Sequence, residues 1–133
     1  MIKAVTLYLS VSFCFLYFGC NNNTSTIVEN NNNSNFPPKV PSNPSPVDSA
    51  RINPGIAITL LWTGGDPDVG DTARYDVYIG SSNPPGTQIV HSSLMTAHDL
   101  GAPASGLYFW QVISTDKIGA VTSGPVWRFT VLP

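Results

Sequence analysis

The 133-residue sequence predicts an all-β fold, a seven-stranded antiparallel β-sandwich. Three observations point there. Apolar residues recur with period two in short runs, as in Tyr75-Val77-Ile79 and Tyr108-Trp110-Val112, so each run buries one face. Clusters of Gly, Pro, Asn and Asp interrupt these runs at short intervals, drawing on 12 Pro and 11 Gly. Charged residues make up 11% of the chain, far below the roughly 25% of ordinary soluble domains. That composition speaks against a coiled coil or a long charged helix.

Residues 1–19 read as an export signal and not as fold. Lys3 precedes an uncharged stretch, Ala4 to Gly19, which is shorter than the roughly 20 residues a spanning helix needs. It predicts a signal helix. Gly19-Cys20 followed by Asn21 resembles the lipoprotein signal of bacteria, in which a small residue precedes a cysteine that becomes acylated. That resemblance implies cleavage after residue 19 and lipid on the Cys20 thiol, although Tyr17 stands where an aliphatic residue is usual. An ordinary cleaved signal and an uncleaved anchor are the alternatives. With no Asp at position 21, the same resemblance implies the outer membrane or cell surface. Cys14 leaves with the signal, so the mature domain has no disulfide and depends on its core.

Residues 20–38 read as a tether. Eight Asn lie between positions 21 and 35, and Ile27 and Val28 are too few apolar residues to offset the entropy of ordering. Prolines then stiffen the chain from Phe36 to Pro46.

The domain itself is expected over residues 39–133. An edge strand lies around Ser45–Ile52. Ile56, Ile58, Leu60 and Trp62 alternate as the second strand, and Thr63 to Asp71 is a dense run of turn formers. Tyr75, Val77 and Ile79 mark the third. Gln88–His91 and Leu94–Asp99 supply two short strands. Tyr108, Trp110 and Val112 form a long one, and Trp127, Phe129 and Val131 the last. The count is seven, at sandwich spacing.

The stretches Leu60-x-Trp62-Thr63-Gly64-Gly65-Asp66-Pro67-Asp68, Tyr75-Asp76-Val77-Tyr78 and Tyr108-Phe109-Trp110-Gln111-Val112 resemble bacterial fibronectin type III-like domains. Ser123-Gly124-Pro125-Val126-Trp127-Arg128-Phe129 agrees, and the motif order is kept across residues 39–133. The resemblance implies fibronectin type III-like topology, Trp62 as core tryptophan, and a Tyr108 hydroxyl bonded to the preceding loop. It implies spacer, adhesion or ligand-binding modules and no shared catalytic residues. Trp62, Tyr75, Val77, Tyr108, Trp110, Trp127 and Phe129 are the expected core.

Two groups of residues are site candidates. Asp66, Asp68, Asp71 and Asp76 could converge on calcium, a hard cation that takes six to eight oxygens, or they simply build turns. No other cofactor is expected. The second group is the set out of phase with the core. If Tyr75 and Trp110 point inward, then Tyr78, Phe109, Gln111 and Ile113 point outward. The third, sixth and seventh strands share a sheet in the resembling fold, so these residues would gather with Val126 beside Arg128. Such a face suits a surface protein or a glycan, although cross-strand pairing that merely supports the sheet explains it too. Six Lys+Arg against eight Asp+Glu gives −2, too few basic groups for a nucleic-acid footprint. His91 and His98 lack partners at zinc-ligand spacing, and no nucleophile elbow or phosphate loop occurs, so no enzyme is expected. The sequence therefore predicts a membrane-tethered binding module. Its alternative is a structural spacer or accessory subunit of an envelope assembly.

Overall fold

Strand structure starts from the alternation itself. In the computed structural model, which describes residues 34–133, the run Ile58–Thr63 buries Ile58, Leu60 and Trp62 and exposes Thr59, Leu61 and Thr63. Arg74–Gly80 buries Tyr75, Val77 and Ile79 in the same way. Gly106–Thr115 buries Trp110, Val112 and Ser114, and Val121–Val131 buries Trp127, Phe129 and Val131. The expected signal helix, Cys20 and most of the tether lie outside the described residues.

Numbered in chain order, the strands are β1 Ser42–Ser45, β2 Ala50–Ile52, β3 Ile58–Thr63, β4 Arg74–Gly80, β5 Thr87–Ser93, β6 Ala97–Gly101, β7 Gly106–Thr115 and β8 Val121–Val131. They form a three-stranded sheet, β1-β3-β6, and a five-stranded sheet, β2-β8-β7-β4-β5. The domain is an all-β sandwich, and among the described residues there is no helix long and apolar enough to cross a membrane.

Among the described residues eight strands occur where seven were expected. The segment read as one edge strand is two. Ser42–Ser45 pairs antiparallel with β3, whereas Ala50–Ile52 crosses to the other sheet and pairs parallel with β8. Pro46 has no N–H to continue the first ladder, and Ser49 takes a left-handed backbone (φ 65°) that turns the chain. Ile56 was expected to continue the β3 alternation. It lies before the strand and is exposed.

The core joins the sheets through aromatic rings. Trp62 of β3 meets Tyr75 of β4 edge to face at 5.7 Å, one residue from each sheet. Trp110 and Trp127 are directly paired across β7 and β8, with centroids 4.7 Å apart. Tyr108 stacks on Phe129 at 5.2 Å but stays half-buried, so it edges the core instead of filling it. Burying each large apolar side chain contributes about 1.5–3 kcal/mol. The described residues contain no cysteine, so that burial acts without a disulfide among them.

Two irregularities shape the five-stranded sheet. On β8 an extra residue at Gly124-Pro125 shifts the register against β7, a place where a residue without an N–H costs no ladder bond. On β5, which is the sheet edge, the register against β4 shifts twice, and Ser92 sits at φ 49°.

Candidate functional site

Strand register decides what reaches the outward face of the five-stranded sheet. Tyr78 of β4 pairs with Gln111 of β7, which pairs with Val126 of β8. In the next row Gly80 pairs with Phe109, and Phe109 with Arg128. On the other side Asp76 pairs with Ile113 and Ile113 with Ser123. The structure thus brings Tyr78, Phe109, Gln111, Ile113, Val126 and Arg128 together on one face. The first five are half-buried by their neighbours and Arg128 is exposed.

Gln111 and part of Arg128 are engaged within the domain. Gln111 Nε2 donates to the Gly124 carbonyl at 2.8 Å, inside the β8 bulge. The Arg128 backbone N–H donates to Asp48 Oδ1 at 2.9 Å, and its Nε donates to Ser49 Oγ at 3.1 Å. The turn before β2 therefore fixes the stem of Arg128. At the other rim Asp76 Oδ1 accepts from the Ser92 N–H at 2.8 Å and from Gln88 Nε2 at 3.1 Å, and lies 3.2 Å from His91 Nδ1. His91 is largely exposed, so this pair contributes little to stability.

The acidic candidates separate. Asp76 lies on the sheet face and not with the loop carboxylates. Asp68 Oδ2 accepts the Phe36 N–H at 2.8 Å. Asp66 and Asp71 instead converge with Asp116, each offering an oxygen within 4.8 Å of the others. Asp116 comes from the β7–β8 turn, and no local pattern in the sequence signals that it meets a loop 45 positions upstream.

Most oxygens in this cluster already hold backbone. Asp66 Oδ1 accepts the Asp68 N–H at 2.8 Å. Asp116 Oδ1 accepts the Ile118 and Ala120 N–H groups, and its Oδ2 accepts Asn35 Nδ2 at 2.7 Å. Lys117 Nζ donates to the Gly70 carbonyl and stands 3.7 Å from Asp71 Oδ1, so one ammonium partly neutralises the group. Asp66 Oδ2 is buried without a donor. The hydrogen bond from Asn35, helped by the backbone N–H groups, holds the Asp116 carboxyl below its ordinary range against partial desolvation. Burial, with the Asp66 charge adding to it, pushes the Tyr75 hydroxyl up against a bond to the Gly65 backbone.

The chain before β1 lies along this end of the sandwich. Besides the Asn35 and Phe36 bonds, the Lys39 N–H donates to the Gly65 carbonyl at 2.9 Å, and Ser114 Oγ donates to the Lys39 carbonyl at 3.3 Å. Pro38 and Pro41 are buried. A cleft of about 450 Å³ runs between Asn35, the Asp68–Asp71 turn and Lys117-Ile118. Asn35, Phe36 and Pro38, within the stretch expected to be tether, are thus bonded to or buried against the loops of this end. His91 and His98 lie on different sheets and do not meet the aspartate cluster.

No protein-family model and no curated protein matches the chain. Two solved structures are similar. One is the α-L-rhamnosidase of Streptomyces avermitilis in complex with L-rhamnose, at 18% identity and a TM-score of 0.48. The match covers 72% of this chain and 10% of the rhamnosidase chain, so the protein spans a small part of that enzyme's length. The other is CopC from Methylosinus trichosporium OB3b, at 21% identity and a TM-score of 0.45, covering 71% of this chain and 94% of CopC.

Proposed function

We propose that the protein is an exported lipoprotein, acylated at Cys20, whose fibronectin type III-like domain is a non-catalytic module for a surface protein or glycan. The observation that carries the module reading is the gathering of Tyr78, Phe109, Ile113 and Val126 on one outward sheet face beside Arg128. Rings can stack on sugar or protein surfaces, and the guanidinium, held through Nε, keeps its other N–H groups for a ligand. Support for the fibronectin type III reading comes from the sheet partners of β3, β4 and β7. The Tyr108 hydroxyl also donates to the Ala104 carbonyl at 2.9 Å, in the loop just before its strand. The export and lipid reading rests on residues 1–20 of the sequence.

A second reading, a spacer in an envelope assembly, is favoured by the internal engagement of Gln111 and Arg128. A glycan array and a pull-down from surface extracts with the full chain distinguish the two. Binding that is lost in Tyr78→Ser/Phe109→Ser, while the melt stays cooperative, is the expected result. Binding that survives both substitutions makes the face structural.

A further inference from the structure

Most of the large apolar side chains left exposed among the described residues sit at one end of the sandwich. Strand directions define that end. β3 stops there, β4 begins there, β7 stops there, and the link from β5 to β6 passes over it. Val69 of the β3–β4 loop is fully exposed, and Ile118 of the β7–β8 turn is 71% exposed. Leu94 and Met95 of the β5–β6 link and Phe36 and Val40 of the entering segment join them. A single exposed Val or Ile is ordinary, but such a concentration on loop tips at one end is not. Val69 and Ile118 also flank the same cleft, whose wall includes Asn35.

We propose that this end docks on a zwitterionic phospholipid bilayer, with Val69 and Ile118 entering the headgroup region. The occupant follows from where the chain arrives. Ser34 and Asn35 line that cleft, so the preceding residues, which include the apolar stretch Ala4 to Gly19, join the sandwich here and not at the opposite end. Between Cys20 and Asn35 the chain can extend no farther than about 50 Å. An acylated Cys20 therefore keeps this end within about 50 Å of the bilayer, nearer to the anchor along the chain than the opposite end. Charge selects the lipid class. This end carries Asp66, Asp68, Asp71 and Asp116 against Lys39, Arg74 and Lys117, a small acidic excess that gives anionic headgroups no net attraction. Small apolar tips gain from insertion in proportion to the area they bury. The inference rests on the export reading for its occupant, yet the two fail separately.

The test uses the full chain carrying Cys14→Ser and Cys20→Ser, with an environment-sensitive fluorophore on Val69→Cys, Ile118→Cys or Leu107→Cys. Leu107 is exposed and lies at the opposite end, paired in register with Thr130. Each variant is mixed with phosphatidylcholine vesicles, and quenching by acyl-chain quenchers reports whether the tips enter the bilayer. Val69 and Ile118 labels should be quenched at least threefold more than the Leu107 label. Adding Ile118→Asp to the Val69-labelled chain should remove most of that difference while the melt stays cooperative. Equal quenching at both ends, or a Val69 label shielded only when surface protein is added, overturns the proposal. Mass spectrometry of Cys20 from native membranes tests the anchor separately. An unacylated Cys20 with quenched tips sinks the anchor alone, and an acylated one with unquenched tips sinks the docking alone.

Discussion

Asn35 and Asp116 lie 81 positions apart in sequence, and their side chains are joined by a 2.7 Å hydrogen bond. One comes from the segment before the first strand and the other from the last turn of the sandwich. The contact ties the chain's entry to the β7–β8 turn, and it favours the ionised form of the Asp116 carboxyl.

Asp116 titrates below its ordinary value of 3.8 when folded, with the Asn35 bond as the largest cause. Its contribution to stability is therefore complete above that value and lost as pH falls through the lower, folded one. Asn35→Ala should move acid unfolding to higher pH. Asp116→Asn should flatten the dependence at the acid end. Near-UV circular dichroism from pH ~2 to ~6 reads both, and identical acid midpoints in Asn35→Ala and the parent would contradict the assignment.

Gly64 is needed for space. A Cβ there would stand 2.6 Å from Tyr75 Oη and 2.9 Å from Cε1. Gly64→Ala should cost about 1–3 kcal/mol, seen as a lower urea midpoint at unchanged slope. Tyr75 itself ionises above the ordinary 10.0, so its share of stability is present below that value and disappears as pH rises through the raised one. Ultraviolet absorbance of tyrosinate during alkaline titration should show one tyrosine ionising late, together with unfolding.

Gly124 plays the same part at the β8 bulge. An added Cβ would meet the Val112 carbonyl oxygen at 2.9 Å and Pro41 Cβ at 3.0 Å. Gly124→Ala should loosen the entering segment as well as the bulge. Hydrogen exchange should then rise at Lys39, whose N–H is bonded to the Gly65 carbonyl.

Trp110 is fully buried against Trp127, and its indole N–H has no acceptor. Trp110→Ala should cost about 3–5 kcal/mol, a large share of a small domain's stability. Trp110→Phe keeps much of the apolar volume and removes the unpaired donor, so it should cost clearly less. Urea melts of the two variants that coincide would show that ring volume is not what Trp110 supplies.

The central strands were legible because period two and burial on one face are the same fact. Ile58, Leu60 and Trp62, or Trp127, Phe129 and Val131, announce themselves without any partner. Ile56 misled because alternation continues past the point where hydrogen bonding stops. Ser45–Ile52 misled because sheet membership is set by long-range pairing, to β3 on one side and β8 on the other. The outward face was readable from the same parity as the core. The carboxylate cluster was not. Asp66 and Asp71 are neighbours in sequence, but Asp116 joins them only through the order of strands, and Asp76 was drawn away by β5.

The parallel pairing of β2 with β8 has a mechanical consequence. Ala50, Arg51 and Ile52 face Phe129, Thr130 and Val131 in register, with both strands running the same way. Tension applied between the chain ahead of β2 and the end of β8 would slide these strands past each other and load their hydrogen bonds together, whereas antiparallel neighbours pulled from one end peel apart singly. A domain held by its N-terminal side and dragged by a bound partner would meet that force with its shear-resistant seam. Lifetime under load, which follows the unfolding rate, would then matter more to such a protein than its equilibrium stability.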